Sequence, residues 1–219
     1  MNSRRWIALA ALIAVAFALL SACGGGDSKS STPTAAAGKV TYNGGVATPA
    51  FQKPDMTIND TSGKPFDIKK ETEGYLTLFY LGYTNCPDVC PTQMADIGAS
   101  LKALPADVTS KIKVVFVTSD PARDTGPVLS KWLGKFDPNF IGLVPTPDQL
   151  AKIADALDMP PIQTEQIPGG GYAVDHAAYV LAYTKDNLAH VIYPSGVTTD
   201  DYKADLPNLA LHGFQAPAK

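Results

Sequence analysis

The chain has few of the residues that build disulfide networks or large metal clusters. Among its 219 residues there are three cysteines and three histidines. Three cysteines are too few for the disulfide framework of a small secreted scaffold, and a chain of this length can bury a core without one. Basic residues are not in excess either, since 18 Lys and Arg stand against 21 Asp and Glu. We therefore expect one folded domain and no nucleic-acid partner.

A long apolar segment is also missing from the N-terminus. The run over residues 6–20 is shorter than the ~20 residues of a membrane-spanning helix, and two arginines precede it, which is typical of an export signal. Residues 20–23, Leu-Ser-Ala-Cys, resemble the lipobox of bacterial lipoproteins. That resemblance implies cleavage before Cys23 and lipid attachment to it. An uncleaved signal anchor is the alternative, and both interpretations place the rest of the chain outside the cytoplasm.

Three parts are predicted along the chain. Residues 1–22 are the lipoprotein signal peptide, and residues 23–50 are the lipidated Cys23 followed by a flexible linker rich in Gly, Ser, Thr, Ala and Pro. Residues 51–215 are the folded domain. The expected location is a membrane-anchored lipoprotein that faces the periplasm or another extracytoplasmic space.

Within the domain, hydrophobic patterns predict an α/β fold. Alternation around a glycine-bearing turn predicts an N-terminal hairpin over residues 56–60 and 65–68. Apolar runs at 75–80 and 113–118 predict buried strands, each followed by apolar residues at helical spacing. The remaining predictions are a strand at 141–144, a helix capped by Thr146, a loop at 162–171, a hairpin at 178–184 and 188–193, and a helix at 200–211. This order looks like the thioredoxin architecture, a mixed sheet flanked by helices.

The functional site is expected at residues 84–91, Thr-Asn-Cys-Pro-Asp-Val-Cys-Pro, where a predicted strand ends and a predicted helix begins. On a helical turn, Cys86 and Cys90 would lie on one face about 6 Å apart, which suits either a disulfide or a shared metal ion. A position at a helix start favours the thiolate that such chemistry needs. The alternative is a Cys86–Cys90 disulfide that only staples the loop, although so short a loop removes little chain entropy. Asp88, between the cysteines, is a candidate partner contact.

His176 is the most informative histidine. It follows the glycine-rich segment 168–171 and enters a strand predicted to run beside the strand that leads into the cysteines. Two thiolates and one imidazole make a soft three-coordinate set that suits copper as Cu(I) or Cu(II), whereas structural zinc typically takes four protein ligands. His190 and His212 are expected to be structural or solvated.

Two carboxylates are candidates for supporting these ligands. Asp120 follows the strand at 113–118, at the sheet edge where ligands of such folds bind. We expect it to shape the following turn, with orientation of a ligand as its functional option. Asp175, directly before His176, is a second candidate for the same orienting role.

Four segments resemble the Sco/SenC family of copper chaperones in order and approximate spacing. They are Gly82–Pro91, Asp120–Thr125, Phe140–Leu143 and Val174–His176, and the resemblance spans residues 51–200. It implies a thioredoxin-like fold with Cys86, Cys90 and His176 as copper ligands. It also implies help with copper insertion into the dinuclear centre of cytochrome oxidase subunit II.

The partners implied by the resemblance are subunit II or its assembly factors, other periplasmic copper carriers, and the membrane through the lipidated N-terminus. The chain departs from the family pattern at Ala177, at Val144-Pro145 and at residues 73–75, none of which is a proposed ligand.

Other functions remain open on the sequence. A thiol-disulfide oxidoreductase would use Cys86 as nucleophile and Cys90 as the resolving thiol. Against it, such enzymes usually have two residues between their cysteines and a facing cis-proline. A lipoprotein that only binds partners would keep an inert disulfide, and a peroxiredoxin-type peroxidase would need a threonine three residues before its cysteine, whereas Thr84 lies two before Cys86. A metallochaperone is favoured over an enzyme.

Overall fold

The computed structural model describes residues 40–217, so the predicted signal peptide, Cys23 and most of the predicted linker lie outside the described residues. The strands are β1 (Gly45–Gln52), β2 (Thr57–Asp60), β3 (Pro65–Asp67), β4 (Leu76–Gly82), β5 (Ile112–Thr118), β6 (Ile141–Val144), β7 (Thr164–Gln166), β8 (Tyr172–Val174), β9 (Tyr179–Tyr183) and β10 (Leu188–Pro194). The helices are α1 (Ile68–Glu71), α2 (Val89–Ala103), α3 (Ala106–Thr109), α4 (Gly126–Leu133), α5 (Pro147–Ala156) and α6 (Thr199–His212). No helix within residues 40–217 combines the length and apolar character needed to cross a membrane.

Eight strands form one mixed sheet in the order β1-β10-β9-β4-β5-β6-β2-β3. The central strands β4, β5 and β6 are parallel, and β9 runs antiparallel to β4. Every residue of β4 is buried, which explains why its sequence is continuously apolar rather than alternating. The strand that leads into the cysteines is therefore fixed at the centre of the sheet.

Helices cover both faces of the sheet and separate two hydrophobic clusters. Successive side chains of a strand point to opposite faces, so Tyr80 joins the cluster under α2, α4 and α6, while Phe79 joins the cluster under α5. The side chain of Thr146 caps α5 by accepting from the backbone of Gln149, as its position before Pro147 predicts. The predicted α/β class, with a thioredoxin-like mixed sheet flanked by helices and an N-terminal hairpin, is confirmed.

Two differences from the sequence-based expectations concern the edges of the fold. Strand β1 begins at Gly45, inside the segment expected to be linker, because it gains its backbone hydrogen bonds at the sheet edge by pairing with β10. The segment at 162–171, expected to be loop, contains β7, which pairs with β8 in a separate two-stranded sheet. All three residues of β7 are exposed, so this strand has no alternating pattern to reveal it.

Buried Asp205 of α6 ties the start of β1 to the domain. Its carboxylate accepts from the backbone N–H groups of Asn43 and Gly44 at 2.8 and 3.2 Å, and from the Asn43 amide at 2.9 Å. The Tyr193 hydroxyl also donates to it at 3.2 Å. We expect Asp205→Ala to lower the free energy of unfolding by roughly 2–3 kcal/mol, since a buried charged acceptor is lost and its donors are left unpaired.

Urea unfolding of the two proteins measures that difference. Asp200→Ala is the control, because Asp200 is an exposed residue that pairs only with neighbouring Lys203 on the same helix. Equal stability of the two variants would show that Asp205 does not hold β1.

Candidate metal centre

The antiparallel pairing of β4 and β9 brings the three predicted ligands together. Tyr80, near the end of β4, stands opposite Val180, near the start of β9. Cys86 and Cys90 follow β4, and His176 precedes β9, so all three lie at the same end of the sheet. Their sulfur atoms and ring nitrogen all lie within 4.8 Å of one another.

The cysteines reach this arrangement from different local structures. Cys90 is the second residue of α2, while Cys86 lies in the preceding turn, where its N–H donates to the carbonyl of Tyr83 at 3.3 Å. The two residues therefore do not share one helical turn, although their sulfurs still meet. Both are buried, and neither forms a disulfide in this structure. The Cys86–Cys90 disulfide stays a prediction about an oxidised state.

The imidazole of His176 is oriented by the backbone carbonyl of the next residue. Its Nδ1 lies 3.2 Å from the carbonyl oxygen of Ala177, and its Nε2 lies 3.5 Å from Sγ of Cys90. When Nδ1 carries the proton and donates to that carbonyl, Nε2 presents its lone pair to the sulfurs. This tautomer is the one that can bind a metal between the three side chains.

The two thiols have opposite proton affinities. Hydrogen bonding from the Cys90 thiol lowers the pKa of Cys86 well below the ordinary value, and His176 and the N–H groups of Asp88 and Cys90 lower it further. The Cys86 thiolate and burial raise the pKa of Cys90. The metal-free pair thus holds one thiolate and one thiol that donates to it.

Aromatic side chains and a glycine enclose Cys90 and His176. The Tyr80 hydroxyl donates to Sγ of Cys90 at 3.5 Å, and Tyr83 meets the His176 ring edge to face with centroids 5.4 Å apart. A Cβ atom on Gly82 would stand 2.9 Å from Sγ of Cys90, closer than real Cβ contacts allow. The sulfur therefore packs directly against the backbone at the end of β4.

Asp124 fixes the approach to Cys86. It is fully buried, and its carboxylate accepts from the Thr84 N–H at 2.8 Å, from the Thr84 hydroxyl at 2.5 Å and from the Thr118 hydroxyl at 2.7 Å. No role was predicted for Asp124 from the sequence. A signal was present, because Asp124 lies in the Asp120–Thr125 segment and Thr84 opens the cysteine motif, but only the tertiary structure joins them.

Asp120 contacts the neighbouring hairpin rather than the ligand group. It pairs with the Nε of Arg123 and accepts from the Tyr172 hydroxyl at 2.9 Å. Arg123 also donates to the Tyr172 carbonyl at 3.0 Å, and its guanidinium lies 3.6 Å from the centroid of the Tyr172 ring. The cluster thus holds β8, the strand that leads into His176.

The side chains of the other candidates make no hydrogen bond to the three predicted ligands. Asp175 is exposed, and its N–H donates to the carbonyl of Gln163 at 2.8 Å, while the ring nitrogen of His176 faces Ala177 instead. His190 is 2.8 Å from the Asp186 carboxylate and stacks on Phe214, in agreement with a structural role, and His212 is exposed in the last turn of α6.

The fold and the site together define a thioredoxin-like protein with a soft metal-binding group of two cysteines and a histidine. A model of the SCO1/SenC family matches residues 47–211, and the chain belongs to that family. The sequence-based resemblance is therefore confirmed.

Three similar proteins illustrate the match. A protein of Stutzerimonas stutzeri, named as a candidate copper-binding protein, is 32% identical over 156 residues that cover 71% of this chain and 76% of that protein. The apo Sco1 protein of Thermus thermophilus is 28% identical with a TM-score of 0.68, covering 77% of this chain and 97% of that one. ScoI of Bradyrhizobium japonicum, solved with copper bound, is 28% identical with a TM-score of 0.60, covering 71% and 97%. Mitochondrial relatives are longer, and the chain spans 46% of SCO1 of Saccharomyces cerevisiae.

Removal of the Asp124 carboxylate should loosen the turn before Cys86. For Asp124→Ala we expect a loss of roughly 2–3 kcal/mol in the free energy of unfolding, because one buried and two partly buried donors lose a buried carboxylate acceptor. We also expect faster reaction of Cys86 with a disulfide reagent. Urea unfolding and thiol-reaction kinetics measure the two effects. Asp137→Ala, which removes a half-buried carboxylate bonded only to neighbouring Asn139, is the control and should change both far less.

The pKa of Cys86 should depend on its neighbour. In Cys90→Ala we expect that pKa to rise by roughly one unit or more, because the thiol that stabilises the Cys86 thiolate is lost. Thiolate absorbance of the reduced, metal-free protein against pH gives the value. An unchanged pKa would assign the shift to another cause.

Proposed function

We propose that the chain is an extracytoplasmic copper chaperone that binds one copper ion through Cys86, Cys90 and His176. The observation that carries this proposal is the convergence of two sulfurs and one imidazole nitrogen within 4.8 Å of one another. The three residues lie up to 90 positions apart in the sequence, and no two of them share a helix or strand. The protein's cargo, rather than a resident cofactor, would occupy this group.

The chemistry of the donor set supports copper. Thiolates are soft ligands and imidazole is intermediate, a combination that accepts Cu(I) and Cu(II), whereas oxygen-preferring ions such as Mg²⁺ and Ca²⁺ bind carboxylates and carbonyls. Within residues 40–217, the only group of cysteine, histidine or acidic residues close enough to hold a metal is this one, and it contains no carboxylate. The copper-bound structure of ScoI from Bradyrhizobium japonicum supports the same assignment.

The surroundings of the three proposed ligands favour reversible binding of copper. The single thiolate of the free pair, at Cys86, is ready to bind a cation, and binding would release the proton of Cys90. The Ala177 carbonyl keeps the Nε2 lone pair of His176 available. Cys90 is fully buried, while His176 is only half-buried, so exchange with a partner would begin at the more accessible ligands.

The cellular role follows from the sequence features outside the described residues and from the family. We propose that residues 1–22 direct export, that lipidated Cys23 anchors the chain, and that the linker after Cys23, expected to reach residue 50, ends before β1 and holds the folded domain facing the periplasm. The client would be the dinuclear copper centre of cytochrome oxidase subunit II, reached directly, through assembly factors or through other periplasmic copper carriers.

Substitution of the ligands tests copper binding. In Cys86→Ser, Cys90→Ser and His176→Ala we expect affinity for Cu(I) to fall by at least about 100-fold. Removing a residue that only hydrogen-bonds to a metal ligand already lowers metal affinity by about 10- to 100-fold, and these substitutions remove the ligand itself. Competition titration with a chromophoric Cu(I) chelator measures this, and sulfur-to-copper charge transfer reports the Cu(II) form.

His190→Ala is the matched control for the histidine, since His190 pairs with Asp186 far from the sulfurs in sequence and should leave the affinity unchanged. Wild-type affinity in all three ligand variants would contradict the proposal.

A second activity, reduction of a disulfide in a copper site, is favoured by the lowered pKa of Cys86. Its thiolate would attack one sulfur of the target, expel the other as a thiolate and form a mixed disulfide, which Cys90 would then resolve by forming Cys86–Cys90. We expect Cys86→Ser to abolish reduction of a disulfide peptide and His176→Ala to keep the rate within about threefold, since exchange needs no imidazole. Reduction of the peptide by Cys86→Ser at the wild-type rate would contradict this activity.

A further inference from the structure

A pocket of about 320 Å³ lies beside the cysteine loop and belongs to none of the interactions described so far. It is bounded by the start of α2 on one side and by the turn from β10 into α6 on the other, with Asp88 and Asp96 on the first side and Ser195 on the second. Asp88 is one of the three residues between Cys86 and Cys90. Anything bound in this pocket would therefore touch the segment that joins Cys86 to Cys90.

The pocket carries negative charge without a counter-charge. Asp88 and Asp96 are its two ionisable residues, and no Lys or Arg lines it. Asp88 is exposed, does not cap α2 with its side chain and takes part in none of the ion pairs of residues 40–217. Asp96 accepts one hydrogen bond, from the Thr199 hydroxyl to Oδ1 at 2.7 Å, which leaves Oδ2 available. Two carboxylates thus remain open to a cation.

Gln93 adds an independent requirement for a ligand. It lines the same pocket and is only 2% exposed. Its Oε1 accepts from the Tyr202 hydroxyl at 2.8 Å, but its Nε2 has no hydrogen-bond partner among the described residues. A buried amide nitrogen without an acceptor is costly, so the pocket favours a ligand that supplies a carbonyl oxygen.

We propose that this pocket docks a basic segment of the protein that exchanges copper with the chain, an inference that rests on the proposed function. A Lys or Arg side chain of the partner would lie between Asp88 and Asp96, and a nearby backbone carbonyl would accept from Nε2 of Gln93. Charge complementarity selects this occupant, because it satisfies both the free carboxylates and the free donor. A second copy of this acidic chain, of net charge −3, is a poorer fit.

A partner docked in this pocket would lie close to the copper-binding residues. Ligand exchange requires the partner's own copper ligands to approach Cys86, and a segment held at Asp88 is two residues away along the chain. Electrostatic attraction at such a rim mainly accelerates association and orients the partner, and it weakens as ionic strength rises. The inferred site should therefore affect the rate of copper transfer more than the affinity for copper.

Copper transfer from two synthetic donors tests the docking of a basic segment. Both are Cu(I)-loaded peptides with two cysteines, and they differ only in two flanking residues, lysine in one and glutamate in the other. At low ionic strength we expect the lysine peptide to load the full chain about tenfold faster than the glutamate peptide, in line with electrostatic steering. In the double variant Asp88→Asn, Asp96→Asn that advantage should shrink to about twofold or less.

The matched control is Asp148→Asn, Asp155→Asn, which removes the same charge from exposed positions of α5, a helix that packs on the other hydrophobic cluster. In this control the lysine peptide should still load the chain with Cu(I) several times faster than the glutamate peptide. If the advantage is missing in the wild type, survives in the Asp88, Asp96 variant, or disappears equally in both doubles, the pocket does not dock a basic segment.

A copper-free measurement separates this inference from the proposed function. The lysine peptide with both cysteines replaced by serine is added to the ¹⁵N-labelled, reduced chain. We expect the side-chain amide signals of Gln93 to shift in the wild type and to stay unchanged in the Asp88, Asp96 variant. Unshifted Gln93 signals in the wild type overturn the docking site even where copper binding is intact. Failure to bind Cu(I) at equilibrium overturns the proposed function instead, whatever the amide signals do.

Discussion

The site depends on one constraint, the antiparallel pairing of β9 with β4. Because β4 ends where the cysteine loop begins and β9 starts shortly after His176, this pairing places chain segments that are distant in sequence at one end of the sheet. A slip by one residue would turn the side chains of β9 to the opposite face. β4 is buried at every residue and β9 at all but its first, so close packing on both faces, rather than an alternating pattern, opposes such a slip. The core that stabilises the domain therefore also sets the distance between imidazole and sulfurs.

The two cysteines and the histidine are attached to the domain by different kinds of contact. On the sulfur side, Asp124 binds the turn through three hydrogen bonds, and Cys90 is packed against Gly82 without room for a methyl group. On the imidazole side, the hairpin of β7 and β8 ends in three consecutive glycines with positive φ, and it is tied to the domain by the cluster around Arg123. The sulfurs thus form the fixed part of the ligand set, and the histidine is carried by a separate small element.

The central strands, the flanking helices and the three residues of the candidate metal centre could be predicted from the sequence because each leaves a local pattern: continuous apolar runs, helical spacing, a paired-cysteine turn and a histidine before a strand. Strand β1 could not, because its stability comes from pairing with β10 rather than from its own apolar residues, and neither could β7, which is exposed on every residue. The role of Asp124 was not predicted either. A buried carboxylate that accepts from a residue 40 positions away has no local pattern, whereas Asp120, which looked like the supporting residue, holds Tyr172 instead.

The start of α2 links the docking pocket to the metal-binding group. Gln93 follows Cys90 by three residues, so both lie on the buried face of the same helical turn. Gln93 is held from α6 by Tyr202, and Cys90 is held from β4 by Tyr80. A carbonyl that satisfies Gln93 would therefore bind to a helix end that is already fixed on both sides. The Nε2 of Gln93 is itself buried, so docking would have to turn this amide toward the partner, while the helix end that carries it stays fixed. The rearrangement is then confined to one side chain beside Cys86.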